Sequence, residues 1–261
     1  MNPQLNYLLH LADDALVLGQ RNAEWCGHGP VIEEDIAMAN ISLDLIGQAR
    51  LIYQLVASRM GDGASEDSLA YFRDAHEFRN HTLLELPHSG PQVGHALSAR
   101  DYATTIVRHF FYSAFSLLRW DALCRSADAD LAAIAEKSVK ESRYHLRHAR
   151  AWVIRLGDGT DESHARIQAA LDHLMPYTQE FWTSSEAEQE ARAHGLIDFS
   201  AADWQADWDH IIDDALNEAT LKRPSSNGHV TQGKSCLHSE HLSYLLSDMQ
   251  SLARAHPGAQ W

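Results

Sequence analysis

Apolar residues recur at helical spacing along nearly the whole chain, and nowhere does a run of Val, Ile or Thr alternate with polar residues as a half-buried strand would. Leu5, Leu8, Leu9, Ala12, Ala15, Leu16 and Gly19 make one such stripe, so a first helix is predicted from about Pro3 to about Arg21. Gly27-His28-Gly29-Pro30 breaks it, and Glu33-Glu34-Asp35 supplies the negative first turn of a second helix reaching about Met60. A shorter helix is predicted from Glu66 to about His81, then a Pro- and Gly-containing loop over Pro87 to Ser98. Long helices follow over Asp101 to Arg125 and Ala129 to Leu156, the second stopped by Gly157-Asp158-Gly159. Further helices are predicted near Glu162 to Trp182, Ser185 to Ala193, Ala201 to Ala219 and Leu237 to Ala255, with a loop over Arg223 to Gly233 before the last. With no fixed-period repeat, this pattern predicts one all-α domain over 1–261, a four-helix bundle with additional helices.

Charge narrows the partners. Against 21 Lys and Arg stand 36 Asp and Glu, a net charge of −15, so the mean surface field repels nucleic acid and anionic membrane. The stretch Ile106 to Trp120 contains Arg108, His109 and Arg119 and is too short and too polar to span a bilayer. The start of the chain leads into Asp13-Asp14 and lacks the pattern of a secretory leader, so a cytoplasmic protein is expected. Cys26, Cys124 and Cys236 are far apart with no C-x-x-C pair, and read as reduced, buried thiols.

Two helices carry a carboxylate in the position a di-iron enzyme uses, without the histidine that should follow one turn later. Ferritin-like di-iron bundles take a Glu from each of two helices and a Glu-x-x-His from each of the other two, because residues three apart share a helix face. Here Asp44 is followed at that spacing by Gly47, and Glu141 by Tyr144; His145 lies one residue out of register, about 100° round the helix. Asp14, or its neighbour Asp13, precedes Asp44 by about 30 residues, so antiparallel helices would bring them to one level, while the third helix offers only Ser113, Ala114 and Phe115 there. No metal and no catalytic residue is therefore expected in this chain. The carboxylates are expected in salt bridges within a polar bundle core, with Arg50, Arg143, Arg147, Gln48 and Tyr144 nearest in sequence.

Several longer stretches, Gln20 to His28, Asp44 to Arg50, Lys140 to Arg147, Arg155 to Thr160 and Gly233 to Leu242, resemble the C subunits (PaaC) of bacterial phenylacetyl-CoA epoxidases. The resemblance covers essentially the whole chain. It implies a ferritin-like fold and a non-catalytic, structural role beside a paralogous di-iron A subunit, which epoxidises the ring of phenylacetyl-CoA with dioxygen and electrons from a flavin and iron–sulfur reductase. Implied partners are that catalytic A subunit, as two of each chain, together with a B subunit and the reductase. The alternatives are an atypical di-metal oxidase and a free-standing acyl-CoA binding module.

Weaker candidates lie elsewhere along the chain. Glu77, Phe78, Arg79 and Asn80, and again Thr178, Gln179 and Glu180 beside Tyr177, place aromatic and polar groups near helix ends where a CoA ester could be held. Cys236-x-His238-x-x-His241 has zinc-like donors but wants a fourth, and reads as a capped helix start. Asp207-x-x-His210 reads as a surface pair, and Glu24-Trp25-Cys26-Gly27-His28 as helix-end packing.

Overall fold

A computed structural model describes residues 3–61, 63–89, 100–226 and 229–259. Among them the chain is helical throughout, with one isolated antiparallel bridge between Gln232 and Leu237 in place of any sheet. In chain order the α-helices are α1 (Pro3–Ala23), α2 (Ile32–Met60), α3 (Glu66–Tyr71), α4 (Thr82–Glu85), α5 (Tyr102–Leu123), α6 (Ala129–Gly157), α7 (Asp161–Leu174), α8 (Gln179–Trp182), α9 (Glu186–Ala193), α10 (Gln205–Glu218) and α11 (Glu240–Ala255). The four long helices of the ferritin-like fold are α1, α2, α5 and α6. Most of the predicted Pro87 to Ser98 loop lies outside the described residues.

The residues group into two compact units. The first comprises Met1–Leu86, Ser185–Leu196 and Gln232–Trp261, the second Pro87–Ser184 and Ile197–Thr231. In the first, α1 packs along α2, and Gly19 lets them approach closely, since a Cβ there would sit 3.1 Å from Ile46 Cγ1 and 3.3 Å from Leu45 Cβ. In the second, α5 is buried nearly all round, as a central helix must be, and packs on α6, α7 and α10.

Two predicted helices turn out broken, for local reasons. The helix expected over 66–81 ends at Tyr71 because the Arg73 side chain turns back, its Nε–H donating to the Leu69 carbonyl at 2.6 Å, and closes the helix end. The helix expected to run to Trp182 ends at Leu174, where Pro176 opens a 3₁₀ turn over Met175–Thr178 before α8. The predicted start at Leu237 moves to Glu240, because Ser239 is the N-cap.

Tryptophan in the second unit works inside it. Trp208 is buried, donates its indole N–H to the Phe111 carbonyl at 3.0 Å, and lies among Phe111, Phe181 and Trp182 at centroid distances of 5.6, 6.3 and 5.5 Å. The thiols depart from expectation: all three are free, but Cys26 is exposed and Cys124 and Cys236 only half-buried.

Candidate functional site

In the first unit, α1 sends two adjacent buried carboxylates in different directions. Asp13 receives the Arg73 guanidinium, the Tyr53 hydroxyl at 2.5 Å and the Arg79 backbone N–H at 2.8 Å. Burial pushes the Tyr53 phenol well above its ordinary pKa, and the neighbouring Asp13 charge pushes it further the same way. Burial alone would lower the Arg73 pKa, but Asp13 more than offsets it, so the guanidinium stays charged above the Phe78 ring at 4.2 Å.

Asp14 turns the other way. Its carboxylate accepts the His81 backbone N–H at 2.9 Å and lies 2.9 and 3.0 Å from His81 Nδ1, with His10 Nε2 3.9 Å from Oδ2. His10 and Asp14 share a face of α1 because they are four residues apart. The buried salt-bridged core expected from the sequence is present in this unit, but with different partners: Arg50 is exposed and pairs with Glu66, and Arg73, Tyr53, His81 and His10 hold the carboxylates.

Nearby, Glu85 is buried and accepts from Asn80 at 2.9 Å and from the Ser239 backbone N–H at 2.5 Å, while His238 Nδ1 sits 2.8 Å away. His238 Nε2 is 2.8 Å from the Phe78 carbonyl, so both ring nitrogens are engaged and the zinc reading of Cys236-x-His238-x-x-His241 fails. Burial opposes charging His238, but Glu85 outweighs it and raises its pKa.

Glu188 is paired with Lys234 at 2.8 Å and held by Ser185. Burial would raise its pKa, yet Lys234 draws it down to about 2. A depressed carboxylate stabilises the fold above its unfolded pKa and loses that contribution as pH falls, here from about 4.5 to about 2. Lys234→Met is expected to remove most of this acid-side slope from the thermal midpoint plotted against pH; an unchanged slope would mean that another group carries it.

Of the expected dinuclear frame, the first unit holds Asp14, which is buried, Asp44, which is half-buried, and Gly47, which contributes no donor. In the second, α6 presents Ser138, Ser142, His145 and Ala149 inward, so the register expected for the frame is displaced by one residue: Glu141 sits 3.7 Å from Lys137, and Tyr144 is 40% exposed. His145 is the inward imidazole, its ring 5.5 Å from His109 of α5. Burial pushes His109 far below its ordinary pKa, with His145 and His148 adding to the effect, so its ring packs as a neutral group. This donor set does not suit two iron ions, which want about four carboxylates and two imidazoles.

Most of the CoA-contact candidates have partners within their own unit. Glu77 accepts the Asp74 N–H at 2.7 Å, Phe78 is fully buried, Arg79 gives its backbone to Asp13, and Asn80 bonds Glu85. In the second unit Thr178 donates to the Met175 carbonyl, Gln179 to Ser226, and Glu180 accepts from Thr231 at 2.8 Å. A groove of about 570 Å³ in the first unit is lined by Asp67, Tyr71, Phe72, Met249, Leu252 and His256 among others, with no Lys or Arg among its described lining to meet phosphates. Cys26 and His28 are exposed at the end of α1 rather than packed, and His210 pairs on the surface with Asp214 at 3.4 Å in place of the expected Asp207.

The model of the phenylacetic acid catabolic protein family matches residues 1–261. The C subunit of the 1,2-phenylacetyl-CoA epoxidase of Escherichia coli (strain K12) is 41% identical over 261 residues, which is 100% of both chains. This chain belongs to the phenylacetic acid catabolic protein family. Within that family frame, His10, Arg73, His81 and Glu85 are among the buried polar residues that sequence reading passed over. Only His10 left a signal, the i, i+4 spacing to Asp14; the others reach α1 and α11 through contacts 60 or more residues away.

Proposed function

We propose that this chain is a non-catalytic, structural subunit of a multicomponent epoxidase acting on phenylacetyl-CoA in aerobic phenylacetate degradation, and that it supports a di-iron catalytic A subunit. The observation that carries this reading is the depleted frame: glycine at 47, an outward tyrosine at 144, and carboxylates committed to arginine, lysine and histidine. The name of the Escherichia coli relative supports the complex. So does the outer face of α2. Ile32, Ile36 and Leu43 fall within about 40° of one another round the helix and are 67, 55 and 66% exposed, opposite the buried Met38, Ile41, Leu45 and Ile52. A helix apolar on both faces is suited to a second chain. Tryptophan, a residue type enriched at such interfaces, is not exposed at any described position.

The proposed assembly contains two copies of this chain and two of the catalytic one, in the cytoplasm, with a B subunit and a reductase, and no nucleic acid or membrane. No helix among the described residues is long and apolar enough to cross a membrane. Co-expression with the di-iron chain followed by size-exclusion chromatography tests it: one co-eluting complex is expected, and two separate species with the di-iron chain fully active alone overturn the reading. Ile36→Glu combined with Leu43→Glu is expected to weaken association about 1,000-fold, the effect of two apolar anchors at about 2 kcal/mol each. About two irons per chain in the purified protein, or epoxide formation by this chain without its di-iron partner, would instead favour the di-metal oxidase.

A further inference from the structure

We infer that His10, Asp14 and His81 form a mononuclear site for a divalent transition metal, Zn²⁺ foremost, inside the first unit, with three protein ligands and one position left open. It goes beyond the proposed subunit role, and it departs from the expectation that this chain holds no metal. Among the described residues this is the group of His, Cys, Asp or Glu in which three ligand atoms lie within 4.8 Å of one another, and all three residues are buried. It is separate from the dinuclear frame, of which it shares only Asp14.

The donors are oriented from outside the cluster. His10 Nδ1 is 2.7 Å from the Arg79 carbonyl, which can only accept, so Nδ1 is protonated and Nε2 is the ring atom that would ligate an ion. A ligating histidine that donates its other N–H to a backbone carbonyl is the usual supporting arrangement at metal sites. That Nε2 faces Asp14 Oδ2 across 3.9 Å in a buried site, beyond direct hydrogen-bond reach. His81 Nδ1 lies 2.9 Å from the same oxygen, close to the separation of about 3–3.4 Å between two donors that share an ion at 2.0–2.2 Å. A shift of about half an ångström brings His10 Nε2 to that separation from Asp14 Oδ2. The His81 backbone N–H fixes the other carboxylate oxygen at 2.9 Å.

Two imidazoles and one carboxylate select against Mg²⁺ and Ca²⁺, which take oxygen ligands, and favour zinc or a neighbouring first-row ion. A bound ion would clamp α1 to the segment that opens α4, whose residues otherwise meet α1 through side chains and single backbone bonds.

Cobalt titration of the full-length chain, stripped of metal with a strong chelator, tests the site. We expect visible d–d absorption saturating at about one equivalent, displacement by Zn²⁺, and a thermal midpoint higher in the zinc-loaded than in the stripped protein by about 4 °C or more. His10→Gln and His81→Gln are expected each to weaken Co²⁺ binding at least about 100-fold. Should either variant fail to fold, X-ray absorption on the zinc-loaded wild-type chain still reads the shell, with two imidazoles and one carboxylate expected. No Co²⁺ bands in the wild-type chain at tenfold excess, or undiminished binding in both folded variants, would overturn the site and assign the cluster to hydrogen bonding around a protonated histidine. Iron content at two per chain bears on the subunit reading alone, so the two proposals fail separately.

Discussion

Asp13→Ala is expected to lower the stability of the protein by about 3–5 kcal/mol, because it leaves the buried Arg73 guanidinium without its carboxylate. The carbonyls of Leu69 and Glu77 still accept from Arg73, but neither supplies a negative charge, and the Tyr53 hydroxyl loses its acceptor at 2.5 Å. In thermal denaturation this corresponds to a fall of about 10 °C for a chain of this size. Removing both charges should be far milder. Asp13→Leu with Arg73→Met replaces an ion pair by packed apolar groups, and is expected to recover at least about half of the loss. A single-variant loss under about 1 kcal/mol would mean that the pair behaves like a solvated surface bridge.

The second large effect is expected at Trp208. Trp208→Ala removes a buried indole from the Phe111, Phe181 and Trp182 cluster and opens a cavity, at a cost of about 3–5 kcal/mol. Trp208→Phe keeps most of the apolar area and removes the indole N–H, while the Phe111 carbonyl inside α5 retains its helical partner, and should cost about 1 kcal/mol. Urea unfolding followed by circular dichroism separates the two variants. Equal losses would show that the hydrogen bond, rather than the packing, is what Trp208 contributes.

The long helices were readable because their signals are local: apolar period, acidic first turns at Glu33 to Asp35, and glycines at stops such as Gly61. What failed was what depends on distant partners. Tyr71 ends α3 because Arg73 is drawn to Asp13, 60 residues away, and periodicity within 66–81 cannot register that pull. The same holds for the site. Glycine at 47 and tyrosine at 144 were legible as missing donors, since a residue type is visible in any sequence. The inward register of α6 was not: Ser142 and His145 face in because Ser138 and Ala149 continue the same stripe, whereas the expected pair, Glu141 and Tyr144, was placed by analogy of spacing. His10 carried its i, i+4 relation to Asp14 openly, but His81 joins it from the end of a segment whose local pattern says nothing of a partner 67 residues away.

The first unit is assembled from three separate stretches of chain, and this affects the order in which it can form during synthesis. Glu85 is made early, but its partners His238 and Ser239 lie near the end of the chain, as do Gln250 and Arg254, which bond the backbone carbonyls of Ala70 and Arg73. While the ribosome is producing the second unit, Glu85 therefore has Asn80 but neither His238 nor Ser239, and the carbonyls of Ala70 and Arg73 wait for Gln250 and Arg254. Completion of the N-terminal half waits on release of the C-terminal one, so a nascent chain stalled before residue 232 should remain open to proteases at its oldest end.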